Sequence, residues 1–88
     1  MAQQQLPDRR IDIQMPDVMR DLDDPREIDR AILEELAERP ASTGYISAQI
    51  EQQPGYVSQR LATLREHEVV VNLDHGYYEV HARVVCDE

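Results

Sequence analysis

A change of hydrophobic period governs what this chain can fold into. Across residues 25–67 the apolar side chains recur at helical intervals, and across residues 69–80 they fall into two short runs separated by Asp74-His75-Gly76. Helical spacing followed by a hairpin pattern predicts a mainly α domain with a β-hairpin at its end. The expected order is helix, short strand, helix, helix, two-stranded hairpin, and no internal repeat is visible.

The first helix is expected over residues 25–39. Asp24-Pro25-Arg26-Glu27 reads as its start, with Asp24 as N-cap, proline at the first helical position and Glu27 at capping-box spacing. Ile28, Ile32, Leu33, Leu36 and Ala37 share one face, Glu34, Glu35 and Glu38 lie off it, and Pro40 stops it. After the loop Ala41-Ser42-Thr43-Gly44, residues 43–45 are expected as a short strand and residues 46–52 as a short helix. Gln53-Pro54-Gly55 breaks and restarts the chain, and Pro54 suits the first position of a third helix over residues 54–67 with the stripe Val57, Leu61, Leu64. Residues 69–73 and 77–80 are the hairpin strands, with Gly76 available for positive φ.

Residues 1–24 differ from the rest, with six aspartates, three arginines and no long apolar period. Ile11 and Ile13 alternate like a strand, and Val18, Met19 and Leu22 suit one helical turn after Pro16. This stretch reads as an arm, disordered alone and ordered against a partner or second subunit. Residues 81–88 form a C-terminal extension, whose Val84 and Val85 either prolong the hairpin or pack on a second subunit's arm.

An 88-residue chain suits one small domain. No apolar run is long enough to span a membrane, no secretory signal is visible in residues 1–6, and Cys86 alone cannot build a disulfide framework. The expectation is a soluble cytoplasmic protein. Eighteen acids face nine basic residues, giving a net charge of −9, which argues against a protein that coats nucleic acid through clustered positive charge. All nine basic residues are arginine, and Lys, Phe and Trp are absent. Acidic surface and missing lysine fit a halophile, because at molar salt the Debye length is about 3 Å and carboxylates repel one another little. An acidic protein from a high-GC genome, which also favours arginine, is the plainer reading.

The order of elements is the outline of a winged helix-turn-helix. Residues 46–50 resemble the positioning helix of that family, Glu51-Gln52-Gln53-Pro54-Gly55 its turn, Tyr56-Val57-Ser58-Gln59-Arg60-Leu61 the opening of its recognition helix, and residues 69–80 its wing. The resemblance covers residues 25–80 and is nearest to small phage-repressor-like winged-helix regulators of halophilic archaea. It departs at Glu68, where the family usually carries a small residue before the wing. The resemblance implies a transcriptional regulator, a repressor by analogy, that binds double-stranded DNA as a homodimer. One short helix reads few base pairs, and palindromic half-sites need two copies. Residues 6–24, the first helix and Val84 and Val85 are the expected dimer contacts.

A recognition helix buries one face and lays the other in the major groove. At 100° per residue, Val57, Leu61 and Leu64 lie within about a 60° arc. Gly55, Gln59, Ala62, Thr63 and Glu66 point away, Tyr56 and Ser58 flank the first turn, and Arg60 lies nearer the buried edge. Gln59 can pair with adenine N6 and N7, Ser58 can donate or accept, and Tyr56 can stack or donate to phosphate. The candidate DNA-contacting set is Thr43, Pro54, Gly55, Tyr56, Ser58, Gln59, Arg60, Thr63, Arg65, His75 and Tyr77. Charge supports it: residues 41–65 hold one acid, Glu51, against Arg60 and Arg65.

Each residue also has a plainer role. Ser58, Gln59 and Thr63 are ordinary exposed helix residues. Arg60 and Arg65 suit surface pairs with Glu51, Glu66 or Glu68, worth at most about 1 kcal/mol. Tyr56 suits a cap on the core, and His75 and Tyr77 a solvated hairpin tip. Arg9 and Arg10 suit a minor-groove arm or a solvated acidic tail. His67, His75, His81 and Cys86 match no compact zinc spacing, so no metal or cofactor is expected. With no phosphate loop or nucleophile elbow, neither an enzyme nor a small-molecule effector site is expected. The competing function is a winged-helix protein-interaction module that does not bind DNA.

Overall fold

The computed structural model describes residues 13–22, 24–73, 76–81 and 84. It is mainly helical with a small antiparallel sheet, in the order α1 (Met15–Asp21), α2 (Glu27–Glu38), β1 (Ala41–Ser42), α3 (Thr43–Ile50), α4 (Pro54–Glu66), β2 (Val70–Asn72) and β3 (Tyr77–Val80). β3 is central, pairing with β2 through Val70–Val80, Val71–Glu79 and Asn72–Tyr78, and with β1 through Ala41–Tyr78 and Ser42–Tyr77. The β2–β3 turn closes through the Leu73 N–H donating to the Tyr77 carbonyl at 2.6 Å, with Gly76 at φ 78°.

The core forms where the apolar stripes meet. Ile28, Ile32, Leu33 and Leu36 of α2 pack with Ile46 of α3, Val57, Leu61 and Leu64 of α4, and Val69, Val70 and Val80 of the hairpin. Each such aliphatic side chain contributes about 1.5–3 kcal/mol on full burial. The same stripes that fix the core leave the opposite face of α4 to solvent.

Three boundaries differ from the sequence expectation, each for a local reason. α2 begins at Glu27, not Pro25, with Arg26 as an extended N-cap residue (φ −130°, ψ 161°). Asp29, not Glu27, completes the capping contact, accepting from the Arg26 backbone N–H at 3.0 Å. The short strand is Ala41–Ser42, not residues 43–45, because Ser42 caps α3: its Oγ accepts from the Tyr45 N–H at 3.2 Å, which starts the helix at Thr43.

The third difference concerns the arm. Residues 15–21 form a helix of seven residues, and Val18 and Leu22 are buried in the core. The Gln14 N–H donates to the Val84 carbonyl at 3.2 Å, and Val84 is buried in the same cluster. Val18, Leu22 and Val84 are therefore satisfied within their own chain and do not remain for a dimer contact. The folded body extends to Ile13, well ahead of residue 25. Ile11, Arg9, Arg10, Val85 and Cys86 lie outside the described residues.

A glutamate with left-handed backbone follows each of α3 and α4: Glu51 (φ 58°) directly after α3, and Glu68 (φ 61°) one residue past His67, the C-cap of α4. After α4, the Glu68 N–H donates to the Arg65 carbonyl and the Val69 N–H to the Leu64 carbonyl, both at 2.9 Å. This is the paired hydrogen bonding of a Schellman motif, with Val69 and Leu64 both fully buried in the core. The motif usually places glycine where Glu68 stands. The chain thus makes a tight turn into β2 without the small residue.

Candidate functional site

α4 carries the exposed polar surface toward which the sequence points. Gln53 is its extended N-cap residue, and Pro54 at the first position costs no hydrogen bond because that N–H has no intrahelical partner. α3 leads into it through a short turn, where left-handed Glu51 lets the Gln52 N–H reach the Ser47 carbonyl at 3.0 Å. With Val57, Leu61 and Leu64 fully buried, the helix is held in one rotation about its axis.

That rotation places Pro54, Gly55, Ser58, Gln59, Ala62, Arg65 and Glu66 in solvent, with Tyr56 and Thr63 half-buried. Thr63 Oγ1 donates back to the Gln59 carbonyl at 3.4 Å. The face therefore offers an amide, a serine hydroxyl and a phenol on its first two turns and a guanidinium on its last. Among the described residues, Arg65 is the one arginine whose guanidinium makes no hydrogen bond or ion pair. The others are held by Asp17, Asp24, Glu34, Asp29 and, for Arg39, the Tyr45 hydroxyl.

Arg60 does not belong to this face. Its side chain is 9% exposed and clamps the fully buried Asp29 of α2, Nε to Oδ1 at 2.8 Å and Nη2 to Oδ2 at 2.7 Å. Nη2 also donates to the Asp24 carbonyl at 3.3 Å. Donating to the Asp29 carboxylate favours the protonated guanidinium and raises its pKa above the ordinary arginine value. Arg60 is thus a positioning residue: it locks α4 onto α2 and is withdrawn from any ligand.

Tyr56 meets a residue from the far side of the sequence. Its hydroxyl accepts from Arg26 Nη1 at 3.4 Å, while Arg26 Nη2 and Nε donate to Asp24 Oδ2 at 2.8 and 3.2 Å. Arg26 was absent from the sequence-derived set, because thirty residues separate it from Tyr56. The hydrogen bond and charge of Arg26 hold the Asp24 carboxyl below the ordinary aspartate range.

A second cluster lies where β1 runs into α3. Ser42 pairs with Tyr77, which brings Tyr77 beside the start of α3 at Thr43. Thr43 is half-buried and Tyr77 is 47% exposed. Arg39, Pro40, Ala41, Tyr45 and Tyr77 line a cleft of about 210 Å³. The Arg39 guanidinium lies over the Tyr45 ring, 5.7 Å from its centroid, and donates to a tyrosine hydroxyl, that of Tyr45. Arg39 and Tyr45 are further members that the sequence reading missed. His75 lies outside the described residues.

Among the described residues no three potential metal ligands come together, and no helix is long and apolar enough to cross a membrane. No protein-family model matches the chain, and neither a curated protein nor a solved structure is significantly similar to it.

Proposed function

We propose that the chain is a winged-helix regulator that binds double-stranded DNA in a sequence-specific manner, as a homodimer and with a repressor's mode of action. In this reading α3 is the positioning helix, α4 the recognition helix and β2–β3 the wing. One observation carries it: α4 exposes Gln59 on the side opposite its buried stripe, with Ser58 and unpaired Arg65 exposed along one flank of that stripe. Gln59 reads adenine through two hydrogen bonds, Ser58 reads a neighbouring base edge, and Arg65 holds a phosphate. The β1–α3 cluster with Tyr77 supplies further backbone contacts. The proposal has no catalytic step, cofactor or small-molecule effector.

A chain of net charge −9 with Arg60 withdrawn draws little affinity from counterion release, so base contacts carry a large share of it. That combination suits binding at molar salt. The same two facts favour the second reading, a winged-helix module that binds another protein and leaves DNA alone.

The test is binding of the purified protein to a duplex from its own upstream region and to a scrambled duplex, across roughly 0.5 to 3 M KCl, where long-range electrostatics is screened. Preference for the upstream duplex that persists at high salt supports the regulator. Equal and negligible binding to both moves the assignment to the protein-interaction module.

A further inference from the structure

We propose that Arg26 and the Tyr56 hydroxyl together bind one phosphodiester of the DNA backbone, and that Asp24 occupies this point as an internal counter-ion in the free protein. The inference rests on the DNA-binding reading above and adds to it a phosphate contact from outside the helix-turn-helix, with its own competitor.

The point is built from inside the molecule. Asp29, fully buried, holds Arg60 of α4 through both carboxylate oxygens and also accepts from the Arg26 backbone N–H at 3.0 Å. Arg60 Nη2 reaches back to the Asp24 carbonyl at 3.3 Å. The backbone of residues 24 and 26 is therefore tied to α4 at Arg60, one turn beyond Tyr56. A buried, charge-assisted clamp thus fixes where the Arg26 side chain emerges, beside the first turn of the exposed α4 face.

The donors are arranged for an anion. Arg26 Nε and Nη2 converge on a single oxygen, Asp24 Oδ2, and Nη1 points to the Tyr56 hydroxyl. Tyr56 accepts in that contact, which leaves its own O–H proton to donate outward. A phosphate oxygen in the place of Asp24 Oδ2 keeps both guanidinium hydrogen bonds, and Tyr56 donates to the same phosphate. The Asp24 and Arg26 side chains are 70% and 46% exposed, so solvent screens their pair and a phosphate displaces it readily. While Asp24 is in place, Arg26 adds no net charge to the DNA-facing surface. Asp24 therefore weakens DNA binding, and the strength of that brake falls as salt rises.

The experiment compares wild type, Asp24→Asn, Arg26→Gln, Tyr56→Phe and Arg65→Gln on the upstream and scrambled duplexes as KCl is varied, with thermal unfolding of each. Asp24→Asn is expected to bind about five-fold tighter at the lowest salt used, the equivalent of one exposed ion pair. Arg26→Gln is expected to lose affinity on both duplexes and to lower the salt slope by about 1. In an Arg26→Gln background, Asp24→Asn should change nothing. Tyr56→Phe should weaken binding with the slope unaltered. Arg26→Gln keeps the backbone N–H that Asp29 accepts, and if it nevertheless unfolds, Asp24→Asn alone decides. Wild-type binding that weakens with Arg65→Gln but is the same with Asp24→Asn and Arg26→Gln overturns the Arg26 site and leaves the DNA reading standing. Absence of binding by every variant, Asp24→Asn included, overturns both.

Discussion

Replacing Arg60 by methionine strands the Asp29 carboxylate in the core without its counter-charge, and a loss of about 3–5 kcal/mol is expected. Chemical denaturation measures it. Asp29→Leu combined with Arg60→Met should recover much of that loss, since a well-packed apolar pair replaces two buried charges. It should not recover all, because the cap on the Arg26 N–H goes with Asp29. At this scale the sequence was legible wherever a residue's role follows from its own helix. The 100° wheel separated Val57, Leu61 and Leu64 from Ser58 and Gln59 as the structure does. It failed where the partner is remote: Arg60 joins Asp29 across 31 residues and Arg26 joins Tyr56 across 30. One signal was present. Asp29 falls among Ile28, Ile32, Leu33 and Leu36 on the apolar arc of α2, and an acid there requires a cation facing it.

The elements carry their own tests at their ends. Glu68 holds a left-handed backbone in the Schellman turn after α4, a conformation that costs a non-glycine residue about 1–2 kcal/mol against a smaller entropic cost for glycine. Glu68→Gly should therefore stabilise by about 0.5–1 kcal/mol, read as a rise of several degrees in melting temperature. A fall would mean that the glutamate side chain contributes more than its backbone costs. α1 behaves in the opposite sense. Leu22→Ala is expected to cost about 2–4 kcal/mol, because Leu22 is buried in the core and not carried on a free arm. Apolar periodicity located α2, α4 and the hairpin because each has a stripe of several residues. It undervalued α1, whose buried Val18 and the buried Leu22 just past its end make a single turn's worth of pattern. It also misplaced β1, because Ser42 acts as strand residue and helix cap at once.

Across the whole molecule the charges are sorted. The segment from Ala41 through Arg65 holds one acid, while the net charge of the chain is −9. Raising KCl from about 0.1 to 2 M should increase the melting temperature, as screening relieves carboxylate repulsion while the buried Asp29–Arg60 pair is little affected. A melting temperature independent of salt would place the acidic surface among ordinary acidic proteins. The central claim is that the exposed face of α4 reads base sequence. The measurement that tests it most directly is selection from a random duplex pool at about 1 M KCl, run in parallel with wild type and Gln59→Ala. Wild type should enrich a motif with two related halves, and Gln59→Ala should lose the preference at one adenine in each half while keeping the rest. A pool that stays random with wild type, or a motif that Gln59→Ala and Ser58→Ala both leave intact, would contradict it.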